Sequence, residues 1–114
     1  MRMKGRQSPG GNAMDQMKVE DRGSERWIVL SGELDQSEVL SLKPPFDIAA
    51  RHARGDVVVD LAAVTFIGTL GIGLIVTTRE ALEERGLTLK LANVPDFIEK
   101  TFKVMSLTEV FERV

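Results

Sequence analysis

A single hydroxyl stands where a strand gives way to a helix. In Gly68-Thr69-Leu70-Gly71-Ile72-Gly73 the threonine opens the helix, and two chemistries are available to it. Unmodified, a hydroxyl at such a junction can cap free backbone N–H groups. Phosphorylated, it places up to two negative charges beside the positive end of the helix. The two uses are not exclusive. The segment bears glycines as a phosphate loop does, but it lacks the lysine of a nucleotide loop and the spacing of a dinucleotide fingerprint. Its open amides can still hold one phosphate carried on Thr69 itself. Gly68 suits a tight turn, and Gly71 suits close approach of backbone to a neighbour. A glycine inside a helix costs roughly 1 kcal/mol against alanine, so close contact is the use these positions serve.

Other candidate chemistry is weak. Asp35, Asp60 and Asp96 would have to form an acid pair or a magnesium site, and no spacing puts two of them on one face. His52 is the only histidine and there is no cysteine, so a multi-histidine cluster, a thiol nucleophile and a thiolate metal site are all ruled out. A nucleophile triad needs a base and an orienter; His52 lies on a different element with no visible orienter, and no serine can be matched to it. The sequence therefore assigns no catalytic residue, no metal and no cofactor, and the chain reads as a non-enzyme.

The elements that position Thr69 follow from pattern. Met14–Glu20 reads as a first strand with Met17 and Val19 inward, Asp21–Ser24 as a turn, and Arg26–Leu30 as a second strand in an antiparallel hairpin. Trp27 is a packing residue near an edge. Gly32-Glu33-Leu34-Asp35 ends that strand, with Leu34 inward and Asp35 capping the next turn. Pro44-Pro45 is expected to cut the following helix into a short piece around Glu38–Leu42 and a second over Phe46–Ala53. Phe46, Ala49, Ala50 and Ala53 share one face of the latter, and His52 sits at its margin.

Val57–Leu61 is the central strand, apolar enough for burial on both faces, and Ala62–Phe66 carries the chain to its end. Thr69–Glu84 is a helix with Leu70, Leu74, Thr78 and Leu82 on one stripe. Its first half is apolar nearly all round, which means burial or an exposed docking face. Gly86 closes it. Thr88–Leu91 is the next strand, parallel to the last. Asp96–Met105 is a helix facing inward through Phe97, Ile98, Thr101, Phe102 and Met105. Ser106-Leu107-Thr108-Glu109 has capping-box spacing and predicts a final helix returning Val110, Phe111 and Val114 to the core.

The 114 residues, 43% hydrophobic and 28% charged, suit one domain of an ordinary globular protein. The expected organisation is a flexible basic tail over residues 1–13 and a single domain over 14–114. A net charge of -2 without a dense basic tract speaks against nucleic acid. No apolar run reaches the roughly 18 residues of a membrane span, and the first residues lack the apolar segment of a secretory signal. A cytoplasmic protein without membrane insertion is the expectation. The class is α/β: a small, mostly parallel sheet of four to five strands with an antiparallel edge strand and about four helices. In such sheets function gathers beyond the carboxyl ends of the parallel strands, where Thr69, Asn93, Asp96 and, through the second strand, Asp35 fall.

Gly32–Asp35, Val57–Ile67 and Gly68–Gly73 together resemble the STAS domain family, anti-sigma factor antagonist type. Leu89–Val94 and Phe97–Phe111 are similar to its last strand and two closing helices, and the likeness spans about residues 14–114. The resemblance implies a protein-binding regulator that engages an anti-sigma factor serine/threonine kinase and is released by phosphorylation. On the family pattern Thr69 matches the phosphoacceptor, Gly71 and Gly73 the helix-start glycines, and Asp35 the acidic residue after the second strand. The implied partner surface comprises Asp35, Gly68, Thr69, Leu70, Gly71, Ile72, Gly73 and Asn93. Gly68 stands where the family usually has aspartate, and Leu70 where a small residue is common. Both departures favour an alternative: an unphosphorylated interaction or scaffold subunit of a stress-signalling or transport complex. A weak homodimer is compatible with either.

Overall fold

A computed structural model of the chain describes residues 13–114. The basic tail assigned to residues 1–13 lies outside them except for Ala13, which opens the one-turn helix α1 (Ala13–Gln16). Strands β1 (Met17–Arg22) and β2 (Glu25–Leu34) form the expected antiparallel hairpin. Gly23 turns it with φ +61°, a conformation open to glycine at little cost. The chain continues through α2 (Gln36–Arg51), β3 (Val57–Ile67), α3 (Thr69–Glu84), β4 (Leu89–Ala92), α4 (Asp96–Val104) and β5 (Glu112–Arg113). The five strands lie in chain order, and every pair after the hairpin is parallel. Each crossover therefore turns the same way, which lays α2, α3 and α4 on one face of the sheet.

That face holds the core. Val57, Val59 and Leu61 of β3 are fully buried, and Phe46, Ile72, Ile75, Ile98 and Phe102 close over them from the helices. Phe111 reaches the same core, its ring 5.5 Å from that of Phe102. The other face is covered by long side chains of the sheet itself. Trp27, Val58 and Lys90 are cross-strand partners there. The Arg22 guanidinium lies 3.9 Å over the Trp27 ring, and Lys90 pairs with Glu25 at 3.1 Å. Val58 is sealed although no described helix covers it.

Several expectations need correction. The sheet has five strands, but three helices of more than one turn pack on it rather than about four. One reason is α2, which runs unbroken through Pro44 and Pro45. The carbonyls those prolines leave without donors belong to Leu40 and Ser41, both on the wet side of the helix. Val39, Leu42 and Phe46 on the other side are buried and hold the helix to the sheet. The second reason is the C-terminus, where the capping box starts no helix. Ser106 adopts φ +60°, and its N–H and that of Leu107 donate back to the carbonyls of Lys103 and Phe102. This is the closing motif of α4, after which turns lead into β5.

Smaller corrections concern single side chains. The first strand starts at Met17 because Ala13–Gln16 is helical, and Val19 is exposed on that edge strand. Phe97 of α4 and Met105 at its C-cap are exposed, leaving Ile98 and Phe102 as the buried pair of the helix. Val114 is also exposed.

Candidate functional site

The carboxyl ends of β2 and β3 are in register, Leu34 opposite Ile67. Asp35 and Gly68 consequently follow side by side, and each starts a helix. The Gly68 N–H donates to the Leu34 carbonyl at 3.1 Å, which ties the two starts together. Thr69 is not the capping residue of α3. That position falls to Gly68, with extended φ -95° and ψ -178° and no side-chain cap. Thr69 is the first helical residue and is exposed. Phe66 and Leu70 on either side of this junction are half-exposed, at 49% and 47%. Thr69 thus lies in the chain between two half-exposed apolar residues, at the start of a helix that no side chain caps.

The glycines divide by environment. A Cβ on Gly71 would meet the Ile67 side chain at 2.8 Å, so the first turn of α3 lies hard against the end of β3. A Cβ on Gly68 would meet nothing nearer than the Phe66 ring at 3.6 Å, ordinary contact. Neither residue has a positive φ, and the tight-turn role expected of Gly68 is not realised. Gly73 faces open space.

Asp35 caps α2 through one carboxylate oxygen, which accepts from the N–H groups of Ser37 at 3.1 Å and Glu38 at 3.3 Å. The Ser37 hydroxyl donates to that same oxygen or to the Glu38 carboxylate, each at 3.2 Å. A hydrogen bond from the Glu38 side chain, and then the Glu38 N–H, hold Asp35 below the ordinary 3.8. Its hydrogen bond to Asp35 holds Glu38 above the ordinary 4.5, with burial adding to the shift. The two carboxyls compete for one proton beside the α3 mouth.

Not every residue expected on the partner surface is there. Ile72 is 1% exposed and faces the core, and Gly71 is buried against Ile67; both support the surface from beneath. Asn93 is elsewhere. Strand β4 ends opposite Asp60, seven residues before the end of β3, a separation of about 20 Å along the strand. There Asn93, at φ 54°, donates its amide to Asp60 at 3.2 Å. The other Asp60 oxygen accepts from the Ala62 N–H at 3.0 Å, beside an irregularity in the β2–β3 pairing. Asp60 and Asn93 brace that irregularity. Asp96 starts α4, and His52 stands exposed at the far end of α2 from Asp35. Among the described residues no group of three or more His, Cys, Asp or Glu side chains gathers to hold a metal. Nor is any described helix long and apolar enough to cross a membrane. Phe66 and Glu38 were missed from the sequence. Phe66 was legible as an aromatic one residue from the junction, whereas only the folded helix brings Glu38 back to Asp35.

The family model described as "Mlab, STAS domain" matches residues 17–112. No curated protein matches. Among solved structures, an anti-sigma-factor antagonist (STAS) domain protein from Planctomyces limnophilus is 23% identical with a TM-score of 0.79, covering 86% of this chain and 88% of that one. An anti-sigma factor antagonist from Mycobacterium paratuberculosis is 21% identical, with a TM-score of 0.77 and coverage of 86% and 83%. The Bacillus cell fate determinant SpoIIAA in the phosphorylated form is 21% identical, with a TM-score of 0.67 and coverage of 86% and 90%. At these identities the structures share the fold. The family match over nearly the whole described chain, with the strand-ordered sheet beside it, decides the classification: the chain belongs to the STAS domain family.

Proposed function

We propose that this STAS domain is a protein-binding regulator of the anti-sigma factor antagonist type, switched at Thr69 by an anti-sigma factor serine/threonine kinase. The observation that carries the reading is the exposed Thr69 between the half-exposed Phe66 and Leu70 at an uncapped helix start. Apolar side chains give a partner something to bury, and the hydroxyl gives it something to read. A phosphate on Thr69 would bring up to two negative charges into that contact, close to Asp35 and Glu38. Desolvating those charges opposes docking, so the modified form releases its partner. Anti-sigma factor antagonists from Planctomyces limnophilus and Mycobacterium paratuberculosis share the fold, and so does the phosphorylated form of the Bacillus cell fate determinant SpoIIAA.

The test is incubation of the full chain with candidate anti-sigma kinases and ATP, with the phosphate mapped by mass. A single phosphate on Thr69, loss of kinase binding by the modified chain, and retained binding by Thr69→Ala are the expected results. A kinase that binds stably yet leaves Thr69 unmodified sinks the switch.

A second reading is favoured by Gly68 and Leu70. The usual carboxylate beside the hydroxyl is missing, and an apolar side chain takes a place the family commonly gives to a small residue. These features suit constant docking, as an interaction subunit of a stress-signalling or transport complex. On that reading Thr69→Ala keeps both partner binding and output in cells, while Leu70→Asp loses both.

A further inference from the structure

We propose that the outer edge of β1 pairs antiparallel with the same edge of a second copy of this chain, in the one register that centres on Val19. Among the described residues that edge is open: β1 stands first in the sheet and pairs only with β2. Helix α1 does not run along it. It turns back onto the end of β2, where Ser31 donates its hydroxyl to the Asp15 carbonyl at 3.3 Å and Gln16 its amide to the Glu33 carbonyl at 2.9 Å.

The hairpin decides which backbone groups face outward. A two-residue turn, Gly23-Ser24, makes the flanking Arg22 and Glu25 a hydrogen-bonded pair. By alternation Glu20 bonds Trp27 and Lys18 bonds Val29. The N–H and C=O groups of Met17, Val19 and Asp21 therefore point away from β2, with no strand to receive them among the described residues.

Charge then chooses the register. A two-fold axis normal to the sheet keeps every side chain on its own face, so Lys18, Glu20 and Arg22 of one copy meet only those three of the other. With the axis at Val19, Lys18 of each copy falls opposite Glu20 of the other, and Val19, 40% exposed, packs on itself. Lys18 has no carboxylate partner among the described residues, and Glu20 has only Arg22, at 2.7 Å. Met17 falls opposite Asp21, which keeps its own Arg26 at 2.8 Å. Moving the axis to Lys18 sets that lysine against itself. Moving it to Glu20 sets Glu20 against itself and Lys18 against Arg22. Opposite charges across a strand pair stabilise it and like charges oppose it. A charged edge strand keeps foreign strands away; this pattern admits its own copy in one alignment.

The pairing would join two sheets into one, with all helices on one face. Thr69 follows β3, two strands from this edge, so both Thr69 surfaces stay open and the proposal does not rest on phosphorylation. An edge of 6 residues buries less than the roughly 1,200 Å² of stable complexes, so the dimer is weak and forms with rising concentration.

Sedimentation equilibrium and amide hydrogen exchange of the full chain, from micromolar to millimolar concentration at low salt, test this. A monomer–dimer equilibrium is expected. The Val19 and Asp21 N–H groups should gain protection as concentration rises, while those of Lys18 and Glu20, bonded to β2, are protected throughout. Val19→Pro removes an outward N–H that β2 does not use, so circular dichroism keeps the signal of the fold and the dimer is lost. Lys18→Glu and Glu20→Lys each weaken self-association about tenfold or more. An equimolar mixture of those two variants associates again, because each then faces the opposite charge at both positions. A chain that stays monomeric at millimolar concentration, Val19 exchange that does not change with concentration, a dimer that survives Val19→Pro, or a mixture that stays monomeric each overturns the proposal.

Discussion

Two helices begin side by side at the ends of two paired strands, and they begin differently. The first turn of α2 is closed by the Asp35 carboxylate, which accepts from two backbone N–H groups and is backed by Ser37 and Glu38. The first turn of α3 opens on Gly68, and no side chain caps it. An anion arriving at α2 meets carboxylates, while one arriving at α3 meets free amides and the positive end of a helix dipole. The start of α2 is held by its cap. The start of α3 must be held by what it buries, namely Ile72 in the core and the glycine contact of Gly71 with Ile67.

Ile72→Ala puts that division to its hardest test. The side chain is 1% exposed in the first turn of α3, and large-to-small changes at such sites cost about 2–5 kcal/mol. Urea unfolding of the full chain should show a loss in that range. Asp35→Ala should cost less, because it removes a cap and leaves Val39, Leu42 and Phe46 in place. If the two losses come out reversed, α3 is not anchored by burial and the contrast between the helix starts fails.

The pH dependence sharpens the α2 side. The Asp35 pKa is depressed in the folded chain, so its contribution is present above the unfolded value and lost as pH falls through the folded one. Glu38 is shifted the other way. Its contribution is present below the ordinary 4.5 and lost as pH rises through the elevated folded value. Glu38→Gln keeps a hydrogen-bond donor toward Asp35 and cannot ionise. The variant and the parent should unfold alike below the ordinary glutamate range, with the variant pulling ahead as pH rises above it. Denaturant midpoints across that range check this, and curves that stay parallel would show that the two carboxyls do not share a proton.

How much of this was legible depends on whether the signal was local. The bounds of α3, Thr69–Glu84, and the Asp35 cap follow from glycine, hydroxyl and carboxylate spacing alone, and both appear in the structure. So does the closing motif of α3, where Gly86 at φ +77° does what glycine does best. The same motif closes α4 with Ser106, and there local reading failed: a serine followed by Glu109 looks like a helix start. What decides Ser106 is Phe102 and Leu107 drawn toward the core on either side. Pro44-Pro45 failed for a related reason. Two prolines break a helix on local grounds, yet here the orphaned carbonyls face water and the opposite side buries Phe46 completely. At the site, Thr69 was legible as an exposed junction residue, but its neighbours were not. Ile72 points inward because α3 presents that side to the sheet, and Asn93 is remote because β4 stops short of the end of β3.

Gly68→Asp has the smallest expected effect on stability and the most direct bearing on the contrast. It would give α3 the kind of cap that α2 already has. The backbone at Gly68 is extended, and a Cβ there finds ordinary contact with Phe66, so the substitution fits without strain. Replacing a glycine cap by aspartate gains only a few tenths of a kcal/mol. The larger consequence is electrostatic. A carboxylate at position 68 occupies the amides that a phosphate on Thr69 would otherwise face, and it repels that phosphate at close range. In the parent chain, phosphorylation of Thr69 should raise stability by about 0.3–1 kcal/mol through the free helix start. In Gly68→Asp the same modification should leave stability unchanged or lower it. Thermal unfolding of the two chains, each before and after quantitative phosphorylation, measures both differences. An equal response in the two would mean that the open amides of α3 take no part in holding the phosphate, and that Gly68 is not what sets this helix start apart from its neighbour.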